Sequence, residues 1–248
     1  MSGHSKWHNI QARKTKGDAV RGKTFTKLSR ELAVAVKEGG PDADSNHRLR
    51  DAITKAKQNN MPSDNITKAI KKASGDLGSV NFENIIYEGY GISGSAVIVE
   101  CLTDNKNRTA GEVRHSFDKY GGGLGANGCV SFLFKRKGVI IIEKKDGMNS
   151  DEIFMQALEA GAEDIQEDED AFEIYTTTDS LKNVANALEN SGLTLASQEL
   201  ELIPDIYVEL DEKKMLSFEK MIDALEDLDD VQEIYHNVKM NESLENDN

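Results

Sequence analysis

The sequence predicts an α+β protein of three domains: a small helical domain at the N-terminus and two α/β domains after it, one inserted in the other. Three observations predict this. Apolar residues recur at three- and four-residue intervals as far as Gly75, then give way to strand-like runs separated by helical stretches after Ser79. Charge divides at the same place. Residues 1–75 carry 16 Lys+Arg against 7 Asp+Glu, whereas residues 76–248 carry 14 basic and 37 acidic residues, so the net charge of −14 hides a cationic N-terminal part.

The first 24 residues read as an extended cationic arm that turns helical near Asp18. Phe25, Leu28, Leu32, Ala35 and Val36 then mark one face of an amphipathic helix, ended by Gly39-Gly40-Pro41. A second helix follows the cap-rich Asp42, Asp44 and Ser45, turns Leu49, Ile53 and Ala56 inward, and fades at Asn59-Asn60. The third starts at Pro62-Ser63-Asp64, buries Ile66, Ala69, Ile70 and Ala73, and stops at Gly75. Three short helices with one apolar stripe each must bury those stripes on one another. That leaves Arg48, Arg50, Lys55, Lys57, Lys68, Lys71 and Lys72 outside.

Beyond the linker at 75–79, residues 85–90 and 95–102 read as strands. Residues 109–120 read as a helix with Val113 and Phe117 inward, and 129–135 as a strand after a glycine-rich turn. A matching unit lies downstream, with strand 205–210, helix 216–228 and strand 231–238. Between them, 137–204 hold a complete set: strands 139–143, 171–176 and 197–202, and helices 150–160 and 181–190. Two β-α-β halves make a split β-α-β, ferredoxin-like sandwich. The expected domains are therefore 1–78, 79–136 joined with 205–240, and an inserted 137–204, with 241–248 a polar tail. In this arrangement Val208 and Leu210 share a sheet with Val97 and Val99.

Composition excludes several function classes. Hydrophobic content of 38% with 30% charged residues suits a soluble globular chain. No run approaches the roughly 20 apolar residues of a membrane span, and the polar, cationic start does not read as a secretory signal. Cys101 and Cys129 lie in apolar strand-like context without CxxC spacing, which suits reduced core thiols and a cytoplasmic address. His4 and His8 are four apart, but no further Cys or His completes a metal set nearby, and His47, His115 and His236 are isolated. The GGGLGANG run at 121–128 lacks the lysine of a phosphate loop and has its helix before rather than after the glycines. It reads first as a helix cap and turn, and second as a loop offering backbone amides to RNA or a partner. The acidic runs 163–173 and 226–230 read as solvated faces. No nucleophile–base pattern and no cofactor motif is present, so a non-enzymatic role is expected.

The arm is the informative segment. Lys6, Arg13, Lys14, Lys16, Arg21, Lys23 and Lys27 fall within 22 positions, interleaved with His4, Ser5, Trp7 and His8. Cations at this density neutralise phosphates and release counterions, and an exposed indole stacks on a base or ribose. Trp7 is the chain's one tryptophan, set in a polar arm rather than a core. These eleven residues are the candidate nucleic-acid contacts.

The segments GHSKWHNI, RKTKGDAVRGKTFTKL, NNMPSDNITKAIKKASG, YEGYG, TDNKNRT, EVRH, GGGLGANGCVSFLF and ALEDLDDVQEIYHN together resemble the YebC family over nearly the whole chain. The resemblance implies a helical N-terminal domain and two α/β domains, and carries the family's basic motif onto Lys6, Trp7, Arg13, Lys14, Arg21 and Lys23. It also implies a DNA-binding transcriptional regulator. Other members imply a second expectation, a translation factor that sits at the ribosome on rRNA and eases synthesis of proline-rich stretches. Mitochondrial members are translational activators. A chain that starts at the family motif without a transit peptide is expected to be bacterial.

Overall fold

The structure is a computed structural model and describes residues 18–75 and 81–239, with side chains from Arg21 onward. These residues form two compact units. One comprises 18–75, 81–130 and 212–234; the other comprises 131–211 and 235–239.

In the first unit, helices α1 (Asp18–Gly39), α2 (His47–Gln58) and α3 (Ser63–Gly75) enclose one core. Leu28, Leu32, Ala35 and Val36 of α1 meet Leu49, Ala52 and Ala56 of α2, with Ile66 and Ala73 of α3 closing the cluster. The α1–α2 corner is held by a buried asparagine. Asn46 caps α2 by accepting from the Leu49 amide at 3.0 Å, while its own side-chain nitrogen donates to the Ala35 and Gly40 carbonyls at 2.7 and 2.8 Å. One residue thus satisfies groups that both helix ends leave open.

The same unit holds β1 (Glu83–Tyr90), β2 (Ala96–Thr103), α4 (Lys106–Lys119), the short β3 (Gly123–Leu124), and, from the far end of the chain, α7 (Glu212–Glu226) and β8 (Val231–His236). The strand order is β3-β1-β2-β8. β1 and β2 are antiparallel, from Glu83 opposite Thr103 to Tyr90 opposite Ala96. The apolar run of β2 is buried almost throughout. Val113 and Phe117 of α4, with Met215, Phe218, Met221 and Leu225 of α7, supply the helical part of the core.

In the second unit, β4 (Phe134–Glu143), β5 (Asp164–Glu167), β6 (Ala171–Thr176) and β7 (Ser197–Pro204) form an antiparallel sheet in the order β5-β6-β4-β7. Helices α5 (Ser150–Ala160) and α6 (Leu181–Asn190) cover one face through Ile153, Ala157, Val184 and Leu188 packed on Ile140, Ile142, Phe172 and Ile174.

Helices and two sheets make the chain α+β, as expected, but three strand expectations need correction. The strands expected at 129–135 and 139–143 are one strand, β4, preceded by a 3-10 turn at Ser131–Leu133. Arg136, Lys137 and Gly138, which lie between the two expected strands, pair with β7. Gly138 is there for close approach, since a Cβ at that position would sit 2.8 Å from Leu181 Cβ. Second, 205–210 is not a strand beside Val97 and Val99. The place next to β2 belongs to β8, and Val208 makes only a single parallel bridge to Val238. The seven residues between Pro204 and Glu212 instead bond to the end of the chain, the Val208 amide to the Asn237 carbonyl at 2.7 Å and the Lys239 amide to the Val208 carbonyl at 2.9 Å. Third, the acidic run 163–173 contains an edge strand that was not expected, β5, whose Asp164 and Glu167 stay exposed.

Candidate nucleic-acid interface

Of the eleven candidate contacts, His4, Ser5, Lys6, Trp7, His8, Arg13, Lys14 and Lys16 lie outside the described residues. Arg21, Lys23 and Lys27 lie on the first turns of α1. Arg21 is exposed. The Lys23 amine meets Asp227 at 2.7 Å, and the Lys27 amine donates to the Glu226 carbonyl at 2.9 Å. The acidic run 226–230 therefore meets α1, although its Asp227 and Asp229 stay exposed as expected of a solvated face.

One turn further along α1, Arg30 completes this docking and shows what positions the basic helix. Its guanidinium donates to the Asp229 carbonyl at 2.7 Å and to Asp230 Oδ1 at 2.5 Å. Asp230, 2% exposed, also accepts from Arg108 at 2.7 Å and lies 3.0 and 2.7 Å from the Thr103 and Thr109 hydroxyls. Burial pushes this carboxyl's pKa up. The hydrogen bonds from Arg108, Thr109, Arg30 and Thr103 outweigh it and hold the group below the ordinary carboxylate range. The sequence reading missed this hub. Its members come from α1, the end of β2, the start of α4 and the turn before β8, and no local spacing joins them.

Among the other cations expected outside, the structure separates anchored from available ones. Arg48 pairs with Glu38, and Arg50 donates to the Ala43 and Asp44 carbonyls. Lys55, expected outside, is half-buried between Glu31 at 3.1 Å and Glu233 at 3.0 Å. Lys57, Lys68, Lys71 and Lys72 are exposed and form no ion pair among the described residues. Three of these four lie on α3, which places the open positive charge there.

The glycine-rich loop spans two readings that geometry now separates. Glu88 of β1 is buried, and its carboxylate accepts from the Gly128 amide at 2.8 Å and the Val130 amide at 2.9 Å. The Gly125 amide reaches the Glu88 carbonyl at 2.8 Å, and the Gly122 amide reaches the Phe117 carbonyl at 2.9 Å. A protein carboxylate thus occupies the place that a phosphate would take in an anion-binding loop. The loop is a cap and turn, with Gly121 at φ +81° after α4.

Cys101 is buried, which, with Asp230 nearby, pushes its thiol up to about 12; burial also raises Cys129. Both are poor nucleophiles as thiols. Among the described residues no group of three or more His, Cys, Asp or Glu side chains is placed to hold a metal ion. No described helix is long and apolar enough to cross a membrane.

Two family models match the chain. The TACO1/YebC protein N-terminal domain matches residues 5–76, and the TACO1/YebC second and third domain matches 82–238. A probable transcriptional regulatory protein of Clostridium botulinum (strain Okra / Type B1) is 56% identical over 245 residues, covering 99% of this chain and all of the relative. One from Hathewaya histolytica is 55% identical with the same coverage. The crystal structure of a conserved hypothetical protein from Aquifex aeolicus superposes with a TM-score of 0.83 at 45% identity, covering 94% of this chain and 96% of that one.

Proposed function

Because the chain belongs to the TACO1/YebC family, we propose that it is a non-enzymatic, nucleic-acid-binding regulator of gene expression, acting on DNA as a transcriptional regulator from a cytoplasmic location. The observation that carries the reading is charge segregation: 16 of the 30 Lys+Arg fall in the first 75 residues against only 7 of the 44 Asp+Glu. A polyanion is attracted to that part and repelled by the remainder. The names of the relatives, probable transcriptional regulatory proteins, point the same way.

In this reading His4, Ser5, Lys6, Trp7, His8, Arg13, Lys14, Lys16 and Arg21 make the contacts, with Trp7 stacking on a base or sugar. Lys23 and Lys27 add less, because each already meets the 226–227 segment. A second reading, binding to rRNA as a ribosome-associated translation factor, draws on the 37 acidic residues of 76–248. They restrict how far duplex DNA can wrap the protein, whereas a short basic element entering structured RNA leaves them in solvent.

Removing residues 1–16 deletes Lys6, Arg13, Lys14 and Lys16. If these are four phosphate contacts, the slope of log affinity against log salt flattens by roughly 3 to 4 units. An unchanged slope and affinity would sink the assignment to the arm. Crosslinking in cells with sequencing of bound DNA and RNA separates the two readings: promoter enrichment supports the first, and rRNA enrichment the second.

A further inference from the structure

Between α1 and α3 runs a groove of about 500 Å³ that the contacts above do not use. Its floor is apolar, formed by Phe25, Ala33, Met61 and Ala69, and Phe82 closes one side. The Arg30 guanidinium lies 5.7 Å from the centroid of the Phe82 ring, so a second flat group already sits at this wall. Lys68 and Lys72 stand one turn apart on the α3 rim, and Lys37 stands on the α1 side. Among the described residues no acidic side chain lines the groove. Its polar groups are not equivalent. The Ser29 and Thr26 hydroxyls donate back to the Phe25 and Gly22 carbonyls of their own helix. The half-buried Asn65 side-chain amide makes no hydrogen bond among the described residues.

We infer that this groove receives one unpaired base of a nucleic-acid strand, with the flanking phosphates on Lys68 and Lys72. The inference rests on the nucleic-acid reading above and narrows it to a single-stranded or extruded nucleotide. The groove asks for a flat apolar body carrying negative charge outside it. A base offers a π-face to Phe25 and the floor, and its edge presents the adjacent donor and acceptor that a side-chain amide matches. A duplex keeps its bases stacked and presents only phosphates to the rim. An acidic peptide with an aromatic side chain also satisfies the rim and floor, and it enters the test as the competing ligand.

The test measures fluorescence anisotropy of the full chain with labelled single strands of about 12 nucleotides, as DNA and as RNA, and with the duplex of the same sequence. Asn65→Ala removes the edge contact, and Ala69→Met fills the floor. Each is expected to weaken single-strand binding at least about fivefold, the lower bound for losing one stacked or edge-read base, while duplex affinity stays unchanged. Lys68→Gln with Lys72→Gln weakens both probes, Lys68→Arg with Lys72→Arg restores them, and thermal melts confirm folding. Equal loss on both probes, or no loss with either Asn65→Ala or Ala69→Met, overturns the groove assignment and leaves the nucleic-acid function standing. Displacement of the single strand by a short Glu/Phe peptide at lower concentration than by a free nucleotide overturns it in favour of a protein partner. A wild-type chain that binds none of the probes removes both readings.

Discussion

Replacing Asp230 by asparagine keeps the side-chain shape and removes one negative charge from a site at which two guanidinium groups point. Arg30 donates to Oδ1 and Arg108 to Oδ2, so whichever oxygen becomes an amide nitrogen faces a donor it cannot accept. Removing one member of a buried ion pair costs about 3 to 5 kcal/mol, because the other is left uncompensated. Here the loss belongs at the low end. Arg108 keeps 41% of its side chain open to solvent and Arg30 keeps 19%, so water replaces part of what is lost. The expected destabilisation is about 3 kcal/mol, or a urea midpoint lowered by about 1.5 M at a slope near 2 kcal/mol/M. Urea titration followed by circular dichroism measures it. The pH dependence carries a second signature. A carboxyl held below its usual range contributes stability that is present above about pH 4 and is lost as pH falls through its folded value. The asparagine variant should lose that acid-side slope. A variant within about 0.5 kcal/mol of wild type would show that Asp230 is not what seats α1.

Two further outcomes concern Gly138 and His236. Gly138→Ala puts a methyl group against Leu181 and Thr176 and should cost about 1 to 3 kcal/mol, read as a lowered melting temperature; a neutral result would mean that β4 and α6 separate freely. His236, whose pKa burial pushes down to about 4, is favoured in its neutral form, so its contribution is complete above about pH 6.5 and declines as pH falls towards 4. The residue as a whole is half-buried, which holds the slope below the limit of about 1.4 kcal/mol per pH unit, and His236→Gln should flatten stability over that window.

How much of this was legible in the sequence follows from the range of the forces involved. The three N-terminal helices, their apolar stripes and the Asn59 and Gly75 stops were readable, because periodicity, caps and breakers act within a few residues. The family was readable from long ordered motifs, and the cationic arm from composition alone. What tertiary structure decided was pairing and compensation. Residues 136–138 fall between two expected strands until the pairing with β7 and the close approach of Leu181 to Gly138 join them, and β8 takes the place beside β2 while Val208 bonds to Asn237 and Lys239 at the end of the chain. The same holds for charge. Lys55, Lys68 and Lys72 are alike in sequence, yet Lys55 meets Glu31 and Glu233 while the other two stand unpaired among the described residues over an apolar groove. Asp230 belongs to an acidic run that reads as solvated, and it becomes a buried hub only when Arg30, 200 residues away, is brought to it. A side chain's identity sets the charge it carries, but whether that charge is cancelled or left for a ligand depends on neighbours that only the folded chain supplies.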